Sequence, residues 1–183
     1  MTLSLTLGLT IGLKRTLWMM AGELVGVGIV AFCAAVGVAA LMLNFPEIFT
    51  AFKWAGGLYL GWLGVQMWQS KGRMAINLDK ENDHSVTRSG LALQGFVTAI
   101  ANPKGWAFFV TLLPPFILTD KPMAPQLAAL IAVLLSVEFI CLLLYAGGGL
   151  SLRHFLEKSG NVQTMNRIAG TLMIGVGFWL ALG

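Results

Sequence analysis

The chain has little charge. Only 11% of its 183 residues are Asp, Glu, Lys or Arg, while 57% are hydrophobic and the mean hydropathy is +0.79. A soluble domain carries about 25% charged residues, so a water-facing surface is excluded and a bilayer is the natural solvent. Cysteine and histidine are scarce too, with 2 of each. Cys33 and Cys141 fall in separate apolar stretches without metal-ligand spacing and read as small apolar packing residues. His84 and His154 fall in polar stretches and read as solvated. No segment gathers a nucleophile, paired acids or metal ligands, so the basis for an intramembrane enzyme is missing, and no metal or cofactor is implied.

Long apolar runs are present instead. A hydrocarbon core about 30 Å thick needs roughly 20 apolar residues as helix. The runs predict an all-α polytopic membrane protein forming one domain over 1–183, with spans at about 18–43, 52–69, 90–118, 127–152 and 167–183. Residues 1–13 are apolar as well, but at 1.5 Å per residue they reach only about 20 Å, half a crossing. A cleaved signal peptide would place its basic residues ahead of the apolar run; here Lys14 and Arg15 follow it. The stretch 70–89, with three acids and four bases among polar residues, reads as a cytoplasmic loop.

The cations orient the array. Of 12 Lys and Arg, nine fall on one side (Lys14, Arg15, Lys71, Arg73, Lys80, Arg88, Arg153, Lys158, Arg167) and two on the other (Lys53, Lys121); Lys104 lies inside a span. The positive-inside rule makes the nine-residue side cytoplasmic and the C-terminus periplasmic. The net charge of +4 is thus a topology signal rather than a nucleic-acid footprint.

A repeat runs through the chain. Laying "KWAGGLYLGW" (53–62) over "RIAGTLMIGV" (167–176) aligns a basic residue, Ala-Gly, Leu and Gly at an offset of 114. The same offset brings Glu23 within one position of Glu138, the two acids inside confident spans. Lys53 opens its helix from outside and Arg167 from inside, so the halves are inverted, as in secondary transporters whose sites lie near mid-membrane on broken helices.

Such a break stands in "TAIANPKGWAFF" (98–109), at the centre of the fourth span. Pro103 removes a backbone donor and clashes with the carbonyl four residues earlier, and Asn102 before it is pushed out of helical geometry. A turn of this kind in hydrocarbon must face protein or a wet cavity. Lys104 at that depth is expensive, and the half-helix it opens offers a positive end to an anion. Asn102, Pro103 and Lys104 are therefore substrate-binding candidates, with a purely structural fixing of the break as the other reading. Glu138, with Cys141 and Tyr145 on its helical face, and Glu23, near the cytoplasmic end of its span, are proton-coupling candidates. Glu138 could instead neutralise Lys104 as a structural pair. Tyr145, Trp106 and Trp62 are pocket candidates, while the remaining Trp residues read as interface anchors. The pairs Gly8/Gly12, Gly22/Gly26 and Gly57/Gly61 read as close-contact GxxxG motifs.

Three features together resemble the lysine exporter family, the LysE/RhtB group of bacterial amino-acid effluxers. They are the Asn-Pro-Lys break followed by Phe108, Phe109 and "LLPPF", the pattern "KWAGGLYLGWLG", and the basic turn leading into "AGELVGVG". The resemblance covers almost the whole chain. It implies a six-span inverted 3+3 repeat, a multi-pass location in the bacterial inner membrane, and export of amino acids or close derivatives by proton antiport. Its partners would be a small amino-acid solute and the lipid bilayer, with no nucleic acid and with homo-oligomerisation open. Family members carry a Pro-Gly-Pro break in the first span that is absent here. The expectation is a first span truncated to a half-helix, 1–13, equivalent to 104–118. The alternative is a truncated, transport-inactive or structural membrane protein of the same fold.

Overall fold

The computed structural model describes residues 2–70, 87–118, 120–148 and 159–182, and among them the regular structure is entirely helical. Seven α-helices follow one another: α1 (Thr2–Thr10), α2 (Leu13–Asn44), α3 (Pro46–Gln69), α4 (Arg88–Ile100), α5 (Pro103–Leu112), α6 (Met123–Gly147) and α7 (Ser159–Leu182). A 3-10 turn, Pro114–Phe116, follows α5. Among the described residues three helices are long and apolar enough to cross a bilayer: Leu13–Asn44, Met123–Gly147 and Gly160–Leu182.

Helices start earlier than the charge pattern suggested. Lys14 and Arg15 form the first turn of α2, and Arg167 lies a full two turns inside α7. Lys and Arg are good helix formers, so cations mark depth in the membrane, not helix ends. What ends the helix before α2 is Gly12, whose φ of 80° only glycine adopts freely. Thr16 Oγ1 then donates to Gly12 O at 2.9 Å. Proline at N1 starts α3 at Pro46, and Thr87 caps α4 by accepting from Gly90 N–H at 3.1 Å. Most of the expected cytoplasmic loop, residues 71–86 with His84, and the stretch 149–158 with His154, lie outside the described residues.

α2 is the central mast. Toward its N-terminal end Met19 and Met20 pack with Leu91 of α4 and with Leu142 and Ala146 of α6. Further along, Ala34 and Ala35 pack with Leu113, Ile117 and Leu127. α2 and α4 run parallel with their backbones in contact. A Cβ at Gly22 would strike Ala92, one at Gly26 would lie 2.7 Å from Ala99 Cβ, and one at Gly95 would strike the Met19 carbonyl. Without a hydrophobic drive between helices in lipid, this close approach supplies the dispersion contacts that hold them.

α3 and α7 make a second seam. They run antiparallel, with Gly57 against Gly177 and Gly64 against Gly170. Among the described residues α7 rests almost wholly on α3, while α3 also touches α5 and α2. The short α1 docks on α6 and α2. Leu5 is fully buried and Gly8 abuts the Ala146 backbone. The expected glycine pairs are therefore divided in their use. Gly22 and Gly26 both make close contact, whereas Gly12 is a turn residue and a Cβ at Gly61 would meet nothing within 4 Å.

The seam yields a paired test. Gly64→Ala sets a methyl 2.6 Å from Gly170 O and must part the helices; a loss of about 1–3 kcal/mol is expected, as for overpacking in a filled core. Gly61→Ala, one turn away and open, should leave stability unchanged. Thermal unfolding of the detergent-solubilised proteins measures both, and equal midpoints would refute the seam.

Candidate functional site

The Asn-Pro-Lys break is built from an exchange of hydrogen bonds. In an unbroken helix Lys104 N–H would donate to Ile100 O. Here α4 stops at Ile100, and its last turn tightens, with Ala101 N–H donating to Val97 O at 2.9 Å and Asn102 N–H to Ala99 O at 3.3 Å. Asn102 takes the extended backbone that precedes proline, φ −84° and ψ 100°. Its Oδ1 accepts from Lys104 N–H at 3.1 Å, capping α5. The carbonyl left over, Ile100 O, receives the indole Nε1–H of Trp106 at 2.9 Å. Trp106 N–H, in turn, donates to Asn102 O at 3.3 Å and starts the new helix. The side chain of Trp106 thus spans the break as a brace.

Lys104 lines a cavity of about 450 Å³ between three helices. Leu63, Gln66 and Met67 of α3 with Ser70 after it form one wall, Gly105 and Phe108 of α5 a second, and Asn166 and Met173 of α7 the third. Lys104 is the one charged side chain among these lining residues. Asn166 Nδ2 donates to Ser70 Oγ at 3.1 Å, tying α7 to the end of α3. The same two helices are joined alongside by Trp68, whose Nε1–H donates to Thr171 Oγ1 at 3.2 Å and whose ring lies 4.8 Å below the Arg167 guanidinium.

The two membrane carboxyls gather elsewhere. Leu142 of α6 packs on Met19 and Met20 of α2. Glu138 lies one turn before Leu142, and Glu23 one turn after Met19 and Met20. Because α2 and α6 run in opposite directions, both steps lead the same way along the bundle. The two acids accordingly stand at the same level of the α2–α6 pair. Glu23 is buried and Glu138 half-buried.

Of the residues singled out in the sequence, the structure therefore sets Glu23 and Glu138 at one level of the α2–α6 pair and brings Asn102 together with Pro103, Lys104 and Trp106. It does not bring Glu138 to Lys104: neither acid lines the Lys104 cavity. The face of α6 that carries Glu138 also carries Leu142 and Ala146, which are sealed against α2 and α1, whereas Lys104 borders α3 and α7. Tyr145 packs beside Leu5 and Val162. Trp62 is exposed and borders an outer groove with Trp54 and Phe178. Gln66, Ser70 and Asn166 escaped sequence reasoning. Ser70 and Asn166 looked like the edges of cytoplasmic loops, because the spans had been cut at Gln69 and Arg167.

Residues 1–183 match the family model described as LysE type translocator. The chain is similar to an uncharacterized membrane protein of Vibrio cholerae serotype O1, 26% identical over 178 residues, covering 97% of this chain and 85% of the relative. At the same identity and coverage it is similar to a homoserine/homoserine lactone efflux protein of Salmonella typhimurium. A leucine efflux protein of Enterobacter sp. is 27% identical over 180 residues, 95% of this chain and 82% of the relative. No solved structure matches.

The brace can be tested by itself. Trp106→Phe keeps the ring and removes the donor to Ile100 O, leaving a carbonyl without its partner. A loss of about 1–3 kcal/mol is expected, read as a lowered unfolding midpoint in detergent. Trp62→Phe, at an exposed ring, is the control and should change little. An unchanged midpoint for Trp106→Phe would remove the brace.

Proposed function

This chain belongs to the LysE type translocator family, and on that premise we propose that it exports amino acids or close derivatives from the cytoplasm, by proton antiport, with the broken helix as its substrate site. It is a multi-pass inner-membrane transporter rather than an enzyme. Relatives named for efflux of homoserine, homoserine lactone and leucine support the solute class.

The observation that carries the reading is the cavity at the break. A solute site inside a membrane needs backbone or side-chain polarity that the bundle leaves open, and irregular backbone is tolerated there only where it lines such a space. Asn102 and Pro103 break the helix, and Lys104 turns the opening into a positively charged wall. An amino acid brings a carboxylate to match it.

The six-span inverted repeat is the architecture that fits this function. In it α4 and α5 form one broken span, and α1 is the half-helix equivalent to α5. Two features support it. The offset of 114 read from the sequence carries the Gly57–Gly177 contact to within one residue of Gly64–Gly170, as a pseudo-twofold axis between α3 and α7 requires. The same offset brings Glu23 to within one position of Glu138, and the two stand at one level of the α2–α6 pair. We assign proton coupling to these two acids. A carboxyl is the side chain that can take up and release a proton within a span. The proton site and the solute site are then distinct, the first between α2 and α6 and the second among α3, α5 and α7.

Cells loaded with amino acids by dipeptide feeding should release them faster when they express this chain. Absence of accelerated release for every amino acid tried would count against the exporter. Glu138→Gln keeps shape and hydrogen bonding but removes a titrating proton. This variant should reach the membrane and still exchange solute for solute, while losing export driven by a pH gradient. Normal pH-driven export by Glu138→Gln would falsify the coupling role.

Orientation is tested by labelling. With Cys33 and Cys141 replaced by Ser, a cysteine put at Asp120 should react with an impermeant thiol reagent in intact cells, and one at Thr87 should not. The reverse pattern would invert the topology and place the C-terminus in the cytoplasm.

A further inference from the structure

We infer that the Lys104 cavity selects amino acids with a single carboxylate and an uncharged side chain, rejecting dibasic ones, and that Gln66, Ser70 and Asn166 are the groups that impose this choice. The inference rests on the exporter reading above and narrows its substrate class.

Charge decides the first half. Among the described residues that line the cavity Lys104 is the one charged side chain, and no carboxylate stands with it to balance a solute cation. The zwitterion's carboxylate can pair with the Lys104 ammonium. Its α-ammonium must then be received by neutral acceptors, and the wall supplies Gln66 Oε1 and Asn166 Oδ1 for the purpose. The Asn166 amide is already oriented, because its Nδ2 donates to Ser70 Oγ at 3.1 Å. That bond leaves the carbonyl oxygen of Asn166 to accept and the Ser70 hydroxyl hydrogen to donate to an anion. A second ammonium or guanidinium on the solute would enter a space whose fixed charge is already positive. Like charges a few ångströms apart repel.

Shape and apolarity decide the second half. Leu63, Met67, Phe108 and Met173 supply the rest of the lining. Two of the four are methionines, whose unbranched thioether chains adapt to differently shaped partners. A cavity of about 450 Å³ is within the usual range of small-molecule sites, and an aliphatic side chain can lie along that apolar wall. The same apolar wall offers nothing to a terminal cation.

Counterflow in proteoliposomes tests this. Vesicles preloaded with a mixture of unlabelled neutral amino acids should take up a labelled neutral one, with leucine and methionine as first probes. Unlabelled leucine and methionine should compete for that uptake at concentrations at least tenfold lower than lysine or ornithine. Gln66→Glu, which adds a carboxylate with almost no change of shape, should close that gap by tenfold or more. Gln66→Met, uncharged, should not improve lysine competition. Asn166→Asp puts the carboxylate on the opposite helix and should act like Gln66→Glu, so one poorly folded variant does not decide the matter. Equal competition by lysine and leucine in the unmodified protein would overturn the inference while leaving the exporter reading intact. So would leucine counterflow through both acidic variants with lysine still excluded. Failure of the unmodified protein to exchange any amino acid, neutral or dibasic, would overturn both.

Discussion

A backbone carbonyl in hydrocarbon must find a donor, and much of this structure follows from how that requirement is met at one place. Pro103 prevents α4 from continuing, and in water the freed groups would simply be hydrated. In a bilayer each would be destabilising by several kcal/mol. The chain resolves this within seven residues: Asn102 Oδ1 takes the Lys104 amide, and the Trp106 indole takes the Ile100 carbonyl. Both substitutes are side chains of the broken segment itself, so the break does not depend on a neighbouring helix. α5 thereby starts as a separate helix that touches both α2 and α3, with Thr111 against Gly56. Lys104 is carried with it to the edge of the α3–α7 pair.

Close packing then determines which helices stand around the break. α4 is held to α2 through Gly22, Gly26 and Gly95, and α3 to α7 through Gly57, Gly64, Gly170 and Gly177. Between these two glycine seams stands α5, which touches both α2 and α3. The cavity lies where the second seam ends, beyond Gly64 and Gly170, and is bordered by the polar residues Gln66, Ser70 and Asn166. Glycine brings backbones together, and the space opens where glycine gives way to longer side chains. On the far side the bundle turns large side chains outward, such as Val133, Val137, Ile140 and Leu144 of α6. Such a surface is stable only against lipid tails.

How much of this could be read from the sequence depended on the kind of signal. The break was legible because proline and its preceding residue restrict the backbone locally, whatever surrounds them. The common level of Glu23 and Glu138 in the bundle was foreshadowed by the offset of 114 that brings their positions in the sequence within one residue. Helix starts were less legible, because Lys14, Arg15 and Arg167 belong to helices that continue past the level at which charge becomes tolerable. The neighbours of Lys104 were not legible at all. α3 and α6 are apolar around most of their circumference, so no stripe shows which face meets protein and which meets lipid. Gln66 is one of the few polar residues on such a helix, and only the packing of α7 on α3 reveals that it shares a space with Asn166.

The sign of the charge at the break carries the last step. The first turn of a helix presents unpaired N–H groups and a partial positive charge, so acidic residues are favoured there and basic ones disfavoured. α5 has no acid in its first turn and places Lys104 at its second position. The acids that might have offset it, Glu23 and Glu138, stand on α2 and α6 away from the cavity, and among the described residues no carboxylate pairs with Lys104. Two positive elements are thus superposed where a helix designed only for stability would carry one positive and one negative. A charge arrangement unfavourable to the empty protein, and relieved by an anion from outside, is what a binding site requires: the interaction free energy is held back until the ligand arrives. Neutralising Lys104 would make the resting break more comfortable in the membrane and remove the complement that the proposed solute's carboxylate seeks. A gain in stability with a loss of solute binding is the signature that separates this arrangement from a lysine that merely fixes the turn. Lys104→Gln should show it, with an unfolding midpoint equal to or above that of the unmodified protein and with counterflow abolished. A variant that loses its fold together with its transport would return Lys104 to a structural role.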